Sequence, residues 1–100
     1  MPIQLEHADH ETVVHLFGDL DLAAEPEVEA TLGDLCDAGR NVIIDTSGVT
    51  FIDSSGIRAL LVARQRCLDG GGAFALRQPS AQVSRLLELV GLIGTINIIE

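Results

Sequence analysis

The sequence predicts a mixed α/β domain, a single sheet opening with an antiparallel hairpin and continuing with mainly parallel strands, packed with three to four helices. Three observations carry this. Two short β-type runs near the start are separated by a polar segment of hairpin length. Three later segments carry apolar residues at helical spacing. Between them lie apolar runs of the kind that parallel strands need when covered by crossover helices.

In order along the chain, Ile3 to His7 and Thr12 to Phe17 are the hairpin strands, joined through Ala8-Asp9-His10-Glu11. After Gly18-Asp19-Leu20-Asp21, the residues Val28, Leu32, Leu35 and Cys36 fall on one face of a helix. Asp21 is placed to cap this helix, Pro26 confines its first turn to residues 22–26, and Gly39 ends it. Asn41 to Asp45 is a central strand, Thr46 to Ser54 a loop, and from Ile57 onward the pattern is helical until Gly70-Gly71-Gly72 stops it. On that second helix Ile57, Leu60, Leu61, Cys67 and Leu68 share one side, and Arg58, Val62, Gln65, Arg66 and Asp69 the other. Arg64 falls within the apolar stripe, where its stem packs and its head reaches outward. Ala73 to Arg77 is a strand, Ser80 caps a helix carrying Val83, Leu86, Leu87 and Val90, and Thr95 to Ile99 is the last strand.

The chain of 100 residues forms one domain, residues 1–100. With only Phe17, Phe51 and Phe74 as aromatics, its core is aliphatic. A net charge of −9 argues against nucleic acid, whose binding draws on Lys and Arg. The charge is uneven: residues 1–39 hold ten of the fifteen acids and no base, so a basic partner surface would be steered there. No signal-peptide pattern opens the chain and no apolar run approaches the roughly 20 residues that span a bilayer, so a cytoplasmic location without membrane insertion is expected. Cys36 and Cys67 lack CxxC spacing, and buried free thiols are favoured over a redox pair.

The residue types that catalysis needs are not gathered. His7, His10 and His15 match no common zinc spacing, so no metal is expected. There is no GxSxG elbow, and Ser55 has no downstream histidine to act as its base. The triple glycine lacks the Lys-Ser/Thr of a phosphate-binding loop and follows a helix, so no nucleotide or other cofactor is expected. What remains is the pair of hydroxyls Ser54-Ser55 at a helix N-terminus. Position alone favours a cap by Asp53, Ser54 or Ser55. The sharper reading is a phosphorylation switch, because free N–H groups and the helix dipole accommodate a phosphoryl group on Ser55.

Gly18-Asp-Leu-Asp21, the buried strand, the segment Asp45 to Ile57 and the late Ser84-Arg-Leu-Leu-Glu-Leu-Val-Gly-Leu92 together resemble a STAS domain of the bacterial anti-sigma-factor antagonist type. The most specific element is Phe51-Ile-Asp-Ser-Ser-Gly56, similar to the family's phosphorylation motif, in which the serine before the glycine is modified. That residue is Ser55. The resemblance implies that Asp53 orients the loop, that Ser54 is a neighbour and not the acceptor, and that Gly56 lets a partner's backbone come close. It implies a binding module and not an enzyme. The unphosphorylated form binds an anti-sigma factor, itself a serine kinase of the histidine-kinase-like ATPase fold, and frees the sigma factor; a metal-dependent serine phosphatase restores that form. The expected contact residues are Asp21, Arg58, Ala59, Val62, Gln65 and Arg66. Arg58 departs from the pattern, standing where the family has a small residue. STAS domains also serve as subunits of lipid-transport ABC complexes, in stress-signalling assemblies and as tails of anion transporters, and these keep the fold while changing the role.

Overall fold

The computed structural model describes residues 1–99. Five strands, β1 (Ile3–His7), β2 (Glu11–Leu20), β3 (Asn41–Ile52), β4 (Phe74–Arg77) and β5 (Ile98–Ile99), form one sheet in sequential order. Helices α1 (Glu25–Asp37), α2 (Ser54–Asp69) and α3 (Ala81–Leu89) connect successive strands from β2 onward. β1 pairs antiparallel with β2, and all later pairings are parallel, as the sequence predicts.

Sequential order has a geometric consequence. Parallel crossovers are right-handed almost without exception, so strands added always on the same side return every helix to one face. A single aliphatic core confirms it: Val28 and Leu32 of α1, Leu60 of α2 and Val83 and Leu87 of α3 pack with Val14, Val42, Ile44 and Leu76 of the sheet. The alternate strand residues lie on the helix-free face. There Val13, Ile43 and Ala75 are in register, as are His15, Asp45 and Arg77.

Several boundaries differ from expectation. The segment Thr46 to Ile52, expected as a loop, continues β3, because β2 runs on to Leu20 and supplies a partner ladder from Phe17↔Gly48 to Leu20↔Ile52. The ladder absorbs two register shifts, after His15 and after Gly18, where Gly18 takes φ +85°. α1 begins at Glu25, within the expected 22–26 stretch and with Pro26 in its first turn, but its N-cap is Ala24 and not Asp21. Asp21 caps the preceding turn instead, its Oδ1 accepting from the Ala24 amide at 3.1 Å. Leu68, assigned to the buried side of α2, is exposed. Ser80 does cap α3, accepting from the Val83 amide at 3.3 Å. Cys36 and Cys67 are not free thiols but a disulfide between α1 and α2, whose Cα atoms lie 4.2 Å apart.

Two polar constructions brace the sheet. Arg40, at the entry to β3, reaches back to the β1–β2 turn, donating to the Thr12 hydroxyl at 2.7 Å and to the carbonyls of Ala8 and Glu11. On the helix-free face, Glu6, His15, Asp45 and Arg77 form a polar rung across four strands, with contacts of 2.9, 3.5 and 2.9 Å. Burial alone would raise the Asp45 pKa, but the Ser47 hydroxyl and amide and the Arg77 guanidinium all donate to its carboxylate and together hold it below the usual range. A carboxyl depressed by folding stabilises above its unfolded pKa, about 3.9, and that stability is lost as pH falls through the lower folded value. Asp45→Asn is therefore expected to cost about 1–2 kcal/mol at pH 7, with the gap from wild type narrowing below about pH 4, as read by urea unfolding at both pH values.

Candidate functional site

The candidate site is built where the C-terminal end of β2, the C-terminal end of β3 and the first turn of α2 meet. Asp53 leaves the strand in an extended conformation and becomes the N-cap of α2. Its Oδ1 accepts from the Gly56 amide at 3.1 Å, and its carbonyl accepts the first helical bond from the Ile57 amide. Of the three residues that the sequence offered as a cap, Asp53 fills the position, and such a cap contributes about 1 kcal/mol. Ser54 and Ser55 are left as the first two helical residues, free of the capping task, where backbone amides lack intrahelical acceptors. Ser54 is exposed and Ser55 half-buried.

Gly56 is buried. An added Cβ would lie 2.2 Å from the Leu20 carbonyl oxygen and 2.9 Å from side-chain carbons of Leu20 and Ile52. The backbone that comes close here is the chain's own, at the end of β2.

The expected contact residues separate into two groups. Arg58, Val62 and Gln65 follow one another along the exposed side of α2, with Gln65 donating to Asp69 at 2.9 Å. Ala59 is fully buried, since α2 presents Ile57, Ala59, Leu60 and Ala63 to the core, so it offers no contact area. Arg66 is turned toward α1, where its guanidinium makes a two-pronged pair with Asp37 at 3.0 and 2.6 Å. Asp21 is half-buried and occupied in its turn.

Sequence reasoning missed two apolar side chains at this end of the molecule, Phe51, 50% exposed, and Leu22, 68% exposed. The signal for Phe51 lay in the motif itself, two positions before Asp53, but a strand there was not foreseen. Acids flank the site: Asp19 pairs with Phe51 in the ladder, and Gly18, Asp19, Asp21, Ala23, Ala24 and Met1 line a shallow depression. Arg58 is the outward base in the first turns of α2.

The three histidines do not converge. His7 bonds the Thr12 hydroxyl at 3.0 Å, and His15 lies between Glu6 and Asp45. No group of metal-ligating side chains occurs among the described residues, nor any helix long and apolar enough to cross a membrane.

The STAS domain model matches residues 2–100. The chain belongs to the STAS domain family. It is 34% identical over 96 residues to an anti-sigma F factor antagonist of Lysinibacillus sphaericus, covering 92% of this chain and 81% of that protein. It is 23% identical to an anti-sigma-B factor antagonist of Bacillus subtilis, covering 96% and 88%. Among solved structures, the anti-sigma factor antagonist SpoIIAA in its unphosphorylated form superposes with a TM-score of 0.82 at 26% identity, over 99% of this chain and 88% of that one. SpoIIAA in its phosphorylated form gives 0.77 at 25% identity, over 99% and 91%.

The joint between Gly56 and Leu20 carries a stability prediction. Alanine is favoured over glycine within a helix by about 1 kcal/mol, yet at 2.2 Å from a backbone oxygen the methyl has no room. Overpacking outweighs propensity, so Gly56→Ala is expected to destabilise by about 2–3 kcal/mol, lowering the melting temperature by roughly 10–20 °C in a domain of this size; an unchanged melt would show that α2 can move off the strand end.

Proposed function

We propose that this STAS domain is an anti-sigma-factor antagonist that acts as a phosphorylation-gated binding module, with Ser55 as the acceptor. The observation that carries the reading is the division of labour in the first turn of α2. Asp53 satisfies the capping requirement, so the Ser55 hydroxyl, at the second helical position, is left for chemistry at the surface.

In the unphosphorylated form the outer side of α2, with Ser54, Arg58, Val62 and Gln65, joins Phe51 and Leu22 in a mixed apolar and polar contact surface. The partner is an anti-sigma factor that is also a serine kinase of the histidine-kinase-like ATPase fold, and its capture frees the sigma factor. The kinase transfers the γ-phosphoryl group of ATP to Ser55 Oγ, the hydroxyl proton leaves, and ADP is released. The product adds about −1.5 to −2 charges at one edge of the contact surface. Within the domain that charge is tolerated, because it meets the α2 dipole and Arg58, one helical turn on. Against a closely packed partner it is desolvated, and about 1.4 to 4 kcal/mol suffices to lower affinity ten- to a thousand-fold. A metal-dependent serine phosphatase hydrolyses the ester and resets the cycle. The acidic first third of the chain favours a basic surface on the partner.

Affinity purification of tagged wild type, Ser55→Asp and Ser55→Ala from native cell extract, with mass spectrometry of the retained proteins, tests this reading. Wild type and Ser55→Ala should retain a serine kinase of that fold, and Ser55→Asp should lose it at least tenfold. Equal retention by all three variants, or recovery of a permease with its ATPase, would replace the switch with a constitutive assembly role.

A further inference from the structure

The covalent link between α1 and α2 has no part in the partner-binding reading. Cys36 and Cys67 are both fully buried. Their bond closes a ring that runs from the end of α1 through the whole of β3 and the Ser55 turn to the end of α2.

α1 reaches the core through Leu32 and Leu35 near its end, but α2 brings little apolar bulk to its own last turns. The large buried side chains of α2, Ile57 and Leu60, sit in its first half; from Ala63 onward its buried residues are Ala63 and Cys67. The seam is made of small residues in close approach. The Arg66 guanidinium lies over Gly33, and a Cβ on Gly70 would stand 2.5 Å from the Cys36 carbonyl oxygen. Such residues remove little apolar area from water. The Asp37–Arg66 pair across the seam has both side chains about half exposed, where an ion pair contributes little. Both helices then run out into glycine, at Gly39 and at Gly70-Gly71-Gly72, which regains the most backbone entropy on release.

We infer that Cys36–Cys67 is a redox latch on the C-terminal ends of α1 and α2. Oxidised, it clamps them; reduced, they open locally while the sheet and the Ser55 turn remain folded. On closing, the two thiols give up two protons and two electrons as the S–S bond forms, and an external disulfide such as oxidised glutathione takes them to become two thiols. Opening runs through thiolate attack on one sulfur and a mixed disulfide. Because both sulfurs are buried, that attack follows local opening of the seam. The latch does not depend on Ser55 being a phosphorylation site.

The full chain, equilibrated in glutathione buffers from oxidising to reducing, is quenched, denatured, alkylated with iodoacetamide and weighed. The oxidised form should carry no label, and the reduced form two. The oxidised form should melt about 10 °C or more above the reduced one, and Cys36→Ala/Cys67→Ala should melt near the reduced form at every poise. Amide exchange on the wild type alone should quicken on reduction at residues 33–40 and 63–72 and stay unchanged at 53–57, which keeps the test decisive even if the double variant folds poorly. Two alkylatable thiols at every poise, identical melts, or faster exchange spread through β3 and the Ser55 turn would each overturn the latch.

Discussion

The contact on which the site depends is the approach of the Leu20 carbonyl, at the end of β2, to the missing side chain of Gly56 in α2. It fixes how closely the first turn of α2 sits against the sheet, and so where every residue of that turn points. Asp53 leaves β3 extended, caps the helix, and puts the two serines on the rim. Leu20 is itself fixed by full burial, and its register with Ile52 closes the β2–β3 ladder. Strand end, glycine and cap thus form one joint, and a substitution in any of them moves Ser55.

The acids and bases are distributed in a way that serves this joint. Two ion pairs lie away from the rim, Asp45 with Arg77 on the helix-free face and Asp37 with Arg66 across the helix seam, while the Met1 ammonium pairs with Glu27 of α1. At the rim, Asp19 and Asp21 belong to the end of β2 and the turn after it, and Arg58 to the first turns of α2. A new negative charge on Ser55 would meet a helix N-terminus and Arg58 within the domain, but repulsion or desolvation in an interface. That asymmetry between tolerance at home and cost in a complex is what a switch of this kind requires, and it needs no change of fold.

Much of this was legible in the sequence where one physical rule acted alone. The hairpin, the Asn41 to Asp45 run and the Ser80 cap follow from period, burial and capping chemistry. The rest was set by contacts between distant segments. Thr46 to Ile52 looks like a loop because it contains glycine and hydroxyl residues, yet it is a strand because β2 runs beside it through two register shifts. Ala59 looks exposed beside Arg58 and Val62, yet the core-facing arc of α2 is wide enough to take it in. Asp21 looks like a helix cap, yet a turn is inserted before α1. Arg40 braces the hairpin across some thirty residues, and the two cysteines meet only because α1 and α2 pack through small residues. At the candidate site, the motif pointed to the first turn of α2, while the close packing of Gly56 against Leu20 was not legible in it.

The central claim is that modification at Ser55 changes the surface and leaves the fold in place. The most direct measurement is the amide NMR spectrum of the chain carrying phosphoserine at position 55, compared with the unmodified chain. The account predicts shifts confined to the first turns of α2 and the adjoining ends of β2 and β3, with the pattern of the remaining sheet unchanged. Shifts spread through the hydrophobic core, or loss of the folded spectrum, would contradict it.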